Sequence, residues 1–494
     1  MNIAFITAEM APLAKVGGLA DVAGSLPAAL REEGCGVSVF LPRYAELGVG
    51  APMDAGTVVH RGTVEVLPGV DESYQVLETL APAARIPVYL VHNNRFFARP
   101  GVYTDPDTGE EYGDAPLRYL FFCKAALDFM LREGRVPDVL HAHDSHTAPA
   151  LVLARKWGPA QDAFARTASL LTIHNIAYQG IYPRDVVAAF GVGSEDFFPM
   201  SPFEYFGKVN FLKLGILFAD AVNTVSERYA REISETEEYG CGLQDILTQR
   251  AADVHGILNG VDTTVWNPCT DKKIPAHYSA ESPARKLVSK RALIAACGFR
   301  DGELSKPLIG MIGRLVDQKG IDLVVEILPR LAAENVRMVV LGSGLPRYQE
   351  IFLEAAEKYP DFLKVRIGFD DGLAHLIEAG ADMFLMPSRF EPCGLNQMYS
   401  MLYGTVPIVR ATGGLADTVV PWDSVRGDGT GFVFKEYSAD SLFGAIREAL
   451  EAFAHMDTWR GLMKNGMTRD FTWQRSARQY LRLFEKIAAR RQTA

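Results

Sequence analysis

The chain is poor in paired cysteines, basic stretches and long apolar runs, and each shortage removes a class of protein. Its 494 residues hold six cysteines: Cys35, Cys123, Cys241, Cys269, Cys297 and Cys393. The closest are 28 positions apart, as from Cys241 to Cys269. Neither a C-x-x-C ribbon nor a disulfide scaffold is therefore expected; buried thiols in a reducing compartment are. No apolar run reaches the length of a membrane span. The N-terminus, MNIAFITAEMAPLAK, lacks a basic leader and carries Glu9 inside its apolar stretch. It reads as a first strand, not a signal peptide. Lysine and arginine number 50 against 60 acidic residues, a net charge of −10. With no basic stripe, a nucleic-acid surface is not expected. G-x-G-x-x-G, Walker A, G-x-S-x-G and H-E-x-x-H strings are all missing, which removes support for dinucleotide-fingerprint, P-loop, serine-hydrolase and zincin chemistry.

What is present is a large apolar fraction, 48%, and 44 glycines. The apolar share supports a sizeable core. At ~150 residues per domain the length allows three domains, and two large α/β domains fit equally well. Ile3 to Thr7, a glycine pair, a helical pattern from Leu19 to Glu32 and the alternating run Gly36 to Leu41 spell a βαβ unit. Further short apolar runs lie at Val88 to Val91, Asp138 to His141, Leu170 to Ile173 and Ala221 to Val225, with helical stretches between them. This alternation predicts a parallel sheet covered on both faces. A turn-rich stretch, ILNGVDTTVWNP, interrupts the series. A second one follows, with strand candidates at Leu308 to Ile312, Val336 to Leu341, Lys364 to Ile367, Met383 to Met386 and Val406 to Val409. The reading is two Rossmann-like domains, 1–255 and 256–472, followed by a helix over 473–494 expected to pack back on the first.

Five segments carry candidate chemistry. KVGGLADV, from Lys15 to Val22, places a lysine and two glycines before a helix. That suits a diphosphate, although an ordinary strand–helix turn has the same letters. The string GGLAD recurs at Gly413 to Asp417; either both halves present a helix N-terminus toward a shared cleft, or similar punctuation recurs by chance. Arg314 and Lys319, in MIGRLVDQKGID, follow a buried strand and can clamp phosphate oxygens there; the alternative is two solvated charges. SRFEPCGLNQ delivers Glu391, Pro392, Cys393 and Gly394 between a strand and a helix. Its carboxylate could accept sugar hydroxyls or balance a developing oxocarbenium ion. The histidines of HAHDSH miss the H-x-H-x-D-H metal pattern, because Ser145 stands where the aspartate would be. They read as a polar loop at a cleft rim. His174, at the end of LLTIHN, is either a site residue or a hydrogen-bonded core histidine.

In order along the chain, KVGGLADV, HAHD, TIHNIAYQG, NTVSERYAREI, GILNGVD, IGRLVDQKG, SRFEPCGLNQ and RATGGLADTV together resemble glycosyltransferase family 5, the bacterial glycogen synthases and plant starch synthases. The likeness runs from about residue 2 to 475. It implies a GT-B fold: two Rossmann-like doubly wound parallel-sheet domains across a deep cleft, acceptor side first and nucleotide-sugar donor side second. It also implies transfer of glucose from ADP-glucose to the non-reducing end of an α-1,4-glucan, with retention, with no cofactor and no metal. Carried over by motif, Lys15 and Gly18 approach the donor, Arg314 and Lys319 hold its diphosphate, and Glu391, Cys393 and Gly394 flank the sugar. His174 sits near the reacting centre. Asn259 joins the donor-binding set, and Asp21, Asp144 and Asn175 form a second tier. Three positions depart from the family pattern: Ser145 for tryptophan, Asn396 for threonine, and Phe96-Phe97 where a tyrosine is common. The partners implied are ADP-glucose and glucan, without nucleic acid or membrane, and the oligomeric state stays open. With no transit peptide before Met1, a cytoplasmic location is expected. The competing readings are a GT-B transferase using UDP-glucose or making sucrose or trehalose, a non-catalytic glucan binder, and a phosphorylase, for which no pyridoxal-phosphate lysine motif is found.

Overall fold

A computed structural model describes residues 1–45, 56–81, 85–300 and 303–493. The chain divides into two compact units. Unit 1 holds Met1–Val225, Ala230–Gly260 and the residues from Trp473 onward; unit 2 holds Ser226–Tyr229 and Val261–Thr472.

The strands of unit 1 are β1 (Asn2–Ile6), β2 (Gly36–Pro42), β3 (Thr57–Leu67), β4 (Val70–Leu80), β5 (Pro87–His92), β6 (Val139–His143), β7 (Ala168–Ile173), β8 (Ile181–Tyr182), β9 (Val209–Asn210), β10 (Ala221–Thr224) and β11 (Val254–Gly256). Nine of them form one sheet in the order β11-β10-β7-β6-β1-β2-β5-β4-β3, while β8 and β9 pair by themselves. From β11 to β5 every pairing is parallel. The central strands are continuous apolar runs because both faces are covered. The all-parallel expectation fails at one edge, where β4 runs antiparallel to β5 and β3 antiparallel to β4. That hairpin turns at Pro68-Gly69, with Gly69 at φ +76° and its N–H on Glu65 Oε1 at 2.7 Å. Its outer strand is half exposed, so no unbroken apolar run announces it. The Gly18–Glu32 helix buries Leu19, Val22, Ala23, Leu26, Ala29 and Leu30, the spacing of one apolar helical stripe.

The chain leaves unit 1 after Gly260, because Val254–Gly256 still adds a strand beside β10. It returns as the Trp473–Thr493 helix, which buries Trp473, Ala477, Tyr480, Phe484, Ile487 and Ala488. Tyr480 accepts a hydrogen bond from Asn223 Nδ2 at 2.8 Å, and Arg491 reaches Asp220 at 2.7 Å.

Unit 2 holds β12 (Leu308–Ile312), β13 (Arg337–Gly342), β14 (Leu363–Ile367), β15 (Met383–Met386), β16 (Val406–Arg410) and β17 (Phe432–Phe434). The sheet order is β14-β13-β12-β15-β16-β17, parallel throughout. Its core joins both sheet and helices through Ile309, Ile327, Val340, Phe352, Leu385 and Ile446. Since β12 lies between β13 and β15, the loops after β12 and β15 leave the same end of neighbouring strands. That places Lys319 beside Glu391.

Candidate active-site residues

In unit 1 the segment after β1 folds back on itself, with backbone hydrogen bonds of 2.9 and 2.8 Å between Met10 and Ala14. Glu9 is buried at its centre. Its Oε2 accepts the N–H groups of Val16 at 2.6 Å and Gly17 at 2.7 Å, and its Oε1 accepts the Tyr103 hydroxyl at 2.6 Å. Charge-assisted bonds of this kind are the strong ones, so Glu9 fixes the turn ahead of the helix. Lys15 projects from that turn, about half exposed, with Nζ 2.6 Å from Asp21 Oδ1. Such a surface pair contributes about 1 kcal/mol at most and leaves Lys15 easy to redirect. A Cβ built on Gly18 would meet nothing within 4 Å. Among the described residues no contact demands glycine there.

HAHD and TIHN come together across neighbouring strands, because β6 pairs with β7 in register His143↔Thr172. Asp144 turns the chain at φ +55°, a left-handed position that aspartate tolerates better than most residues. Its Oδ1 accepts the His174 N–H at 2.7 Å. Burial pushes the Asp144 carboxyl up to about 7, opposed by the backbone N–H groups of His174 and Asn175. His174 Nε2 lies 3.0 Å from His143 Nδ1. Burial pulls His174 down to about 3 and His146 to about 4, and holds His141 and His143 well below the usual range. All four are neutral imidazoles at pH 7. The polar-loop expectation for HAHDSH is thus corrected: His141 and His143 are fully buried strand residues, and Asp144 opens a one-turn helix to Thr147. His141 Nε2 sits 2.7 Å from Thr172 Oγ1, which also receives Asn223 Nδ2 at 3.3 Å. Asn175 Oδ1 takes the Ala177 N–H at 3.1 Å, an Asx turn. Asn259 is buried in the loop under the start of the last helix, where Ser476 donates to Leu258 O at 2.6 Å. Its Oδ1 has no hydrogen-bond partner among the described residues.

In unit 2 the loop after β12 carries Arg314, exposed and only weakly held by Gln318 at 3.4 Å. Lys319 ends a short 3-10 turn, and Gly320 follows at φ +67°. A Cβ on Gly320 would lie 2.1 Å from Pro387 O. Glycine is therefore what lets this loop seat against the loop after β15. Arg389 N–H donates to Gln318 O at 2.9 Å, and Gln318 Nε2 to Phe390 O at 3.3 Å. Between these backbones Lys319 Nζ meets Glu391 Oε2 at 2.5 Å, and Ser388 Oγ donates to the same oxygen at 3.0 Å. Cys393 is buried and Gly394 turns at φ +71°. Asn396 donates Nδ2 to Ile312 O at 3.0 Å and ties the helix start to β12.

The second GGLAD segment does not present open helix amides, contrary to one of the two readings of the repeat. Gly414 N–H is used by Glu391 O at 3.1 Å and Pro392 O at 3.2 Å. Added Cβ atoms on Gly413 and Gly414 would lie 2.0 Å from Glu391 O and 2.1 Å from Cys393 O. Here the glycines let one backbone sit under another.

Sequence reasoning did not single out Glu9 or Tyr103 as site-supporting residues, and it took His143 and Ser388 only as members of the HAHDSH and SRFEPCGLNQ segments. Glu9 left a trace as the first acidic residue of the chain, set in an apolar run. Phe96 and Phe97 are both fully buried, Phe96 4.9 Å from Phe121, while Tyr103 brings its hydroxyl to Glu9. Among the described residues no group of three or more His, Cys, Asp or Glu could hold a metal ion. No helix among them is long and apolar enough to cross a membrane.

Comparisons with known proteins agree along the whole chain. The family described as starch synthase catalytic domain matches residues 2–249, and glycosyl transferases group 1 matches residues 300–460. A glycogen synthase of Anaeromyxobacter sp. (strain Fw109-5) is 44% identical over 490 residues, covering 99% of this chain and 100% of the relative. Glycogen synthase 2 of Geobacter metallireducens is 44% identical with the same coverage. The solved catalytic domain of starch synthase IV from Arabidopsis thaliana, bound to ADP and acarbose, superposes with a TM-score of 0.86 at 32% identity, covering 99% of each chain. A sucrose-phosphate synthase from Thermosynechococcus elongatus, at 18% identity and a TM-score of 0.58, shares the fold.

Proposed function

The chain belongs to the starch synthase and glycogen synthase family, and from that premise we propose that its reaction is retaining transfer of glucose from ADP-glucose to the non-reducing end of an α-1,4-glucan. The observation that carries this reading is the Lys319–Glu391 pair, held at 2.5 Å between two interlocked loops at the ends of β12 and β15. Breaking a sugar–phosphate bond develops positive charge on the anomeric carbon and negative charge on the departing diphosphate. Lys319 and Arg314 are the cations assigned to the diphosphate, with Lys15 and the open backbone at Gly18 adding to donor binding. Glu391, relieved of Lys319 as the phosphate takes it over, is assigned to the sugar side, flanked by Cys393 and Gly394.

Retention fits same-face attack, because no motif places a carboxylate nucleophile. The acceptor 4-hydroxyl bonds to the anomeric carbon as the carbon–oxygen bond to phosphate breaks, and the hydroxyl proton passes to a phosphate oxygen of the departing ADP. His174 enters as a neutral hydrogen-bonding group near the glucose. Its Nε2 is engaged by His143 and its backbone by Asp144, so the ring is oriented before the substrate arrives. Asn259, Asp21 and Asn175 are assigned supporting roles around the donor. Two side-chain cations provide the countercharge, so the reaction as assigned calls for neither metal nor organic cofactor. Nothing in this chemistry involves a nucleic acid or a membrane.

The test is incorporation of labelled glucose into glycogen from ADP-glucose and, separately, UDP-glucose. ADP-glucose is expected to be the better donor, and the product to be cleaved by an α-1,4-specific glucosidase. Faster incorporation from UDP-glucose overturns the donor assignment. In Lys319→Ala turnover is expected to fall by about 100-fold or more, the scale of losing one oxyanion donor. A loss below about tenfold removes Lys319 from the reaction.

A further inference from the structure

Unit 1 displays a group of apolar side chains that its own core does not use. Met200 is 94% exposed, Phe206 86% and Phe198 57%. They lie on one module, since β8 pairs with β9 and the Tyr205–Lys208 bridge extends that ladder toward the loop tip. Scattered exposed apolar residues are ordinary; these differ in how firmly they are held. Met200 and Phe206 adopt φ of +68° and +48°, and Gly207 follows at +75°. Bulky residues rarely take that backbone, where asparagine or glycine is the usual choice.

Two charged side chains hold the loop in this form. Glu204 accepts the Gly207 N–H at 2.7 Å and the Met200 N–H at 3.2 Å, and these bonds hold its carboxyl below the usual range. Lys213 is buried beneath, donating Nζ to Ser201 O at 2.9 Å and Glu204 O at 2.5 Å. The Phe206 ring is further steadied edge-on against Tyr205 at 4.9 Å. A loop braced from inside by a lysine and from outside by a glutamate, in order to turn phenylalanine and methionine to solvent, presents a preformed surface.

We infer that the Phe198–Lys208 loop is a docking platform for the α-1,4-glucan chain, an inference that rests on the reaction assigned above. The acceptor is a polymer, so more of it than the reacting end is at hand to be held. Each glucose ring offers a flat C–H face that packs on an aromatic ring, and the adjacent Tyr205, Glu204 and Lys208 offer polar partners for its hydroxyls. A neutral chain meets no repulsion from a protein of net charge −10. A second copy of the protein does, and three side chains provide at most roughly 500 Å², short of the ~800 Å² per partner that a stable dimer buries.

The test compares Phe206→Asn and Phe206→Trp with the wild-type chain in glycogen-containing native gels, alongside glucose incorporation. Asparagine suits the left-handed backbone, so Phe206→Asn is expected to melt no lower than wild type. Its glycogen affinity is expected to drop about fivefold, the worth of one aromatic contact, with a matching rise in KM for glycogen. Turnover on maltotriose should stay within about twofold, and Phe206→Trp should bind glycogen like wild type. Equal retardation of wild type and Phe206→Asn overturns the platform, as does a lower melting temperature in Phe206→Asn. A wild-type dimer that Phe206→Asn converts to monomer assigns the patch to self-association instead. If the wild-type chain is retarded through Phe206 yet transfers no glucose from any donor, the assigned reaction fails while the platform stands.

Discussion

The two GGLAD segments use the same five residues for opposite ends. At Gly17–Asp21 the backbone is open: Gly18 faces space, and Asp21 holds the nearby Lys15 in a surface pair. At Gly413–Asp417 it is closed: Gly413 and Gly414 lie against the carbonyls of Glu391 and Cys393, and Asp417 accepts the Arg228 N–H at 2.8 Å. In one place glycine has open space beside it; in the other it leaves room for the protein. What separates them is the surrounding backbone, which no local string records.

The sharpest way to break this contrast is a methyl group. In Gly414→Ala the new carbon must displace the Cys393 carbonyl, so unit 2 should lose on the order of 3 kcal/mol, read as a lower urea midpoint. Unchanged stability would mean that the close contact is not required. Next comes the brace under the open copy. Glu9→Gln keeps the shape but removes the charge that receives the Val16 and Gly17 N–H groups, and about 2 kcal/mol of stability should go with it. The KM for ADP-glucose should rise as Lys15 and Gly17 lose their fixed position. A variant with wild-type stability and KM would show that Glu9 does not set the turn.

Acid tests the same unit through its histidines. His141, His143, His146 and His174 are neutral when folded and take up protons near their ordinary pKa when unfolded. Their contribution is therefore complete above about pH 6.5 and declines as pH falls, each at up to ~1.4 kcal/mol per pH unit. Asp144 works the other way: its raised carboxyl favours the folded chain in acid, and that contribution disappears as pH rises through about 7. Four groups outweigh one, so the urea midpoint of unit 1 should decline between pH 6.5 and 5. A flat profile would mean that these imidazoles charge in place. The smallest effect belongs to the open glycine. Gly18→Ala should change stability by less than about 1 kcal/mol, in the favourable direction, because alanine is the better helix residue. It should nonetheless weaken ADP-glucose binding. Donor KM equal to wild type would make the open copy as purely structural as the closed one.

Residue type carried much of the fold. Runs such as AFI in β1 and MFLM in β15 are legible because parallel strands covered on both faces have no reason to alternate. The β3–β4 hairpin was not, since His60, Arg61 and Gly62 interrupt both the apolar run and the alternation of a half-exposed edge strand, and β17 is only three residues long. At the site, charged residues flanked by glycine after a strand pointed to Lys15, Arg314, Lys319 and Glu391. The groups that position them were harder to find. Glu9 meets Tyr103 across 94 positions and Ser388 reaches Glu391 through a loop, contacts that sequence spacing does not encode. Phe206 carried no sequence signal; its left-handed backbone and its exposure are what mark it.

The return of the chain to unit 1 bears on how the protein is made. A ribosome releases β10 and its Asn223 long before Tyr480, the residue 257 positions later that completes the hydrogen bond between them. At ~5–20 residues per second that gap is more than ten seconds. Throughout it, the surface destined for Tyr480, Phe484 and Ile487 has no covering helix. Unit 2, continuous from Val261 to Thr472, can close in that interval. The first half of the gene therefore encodes the last unit to be finished.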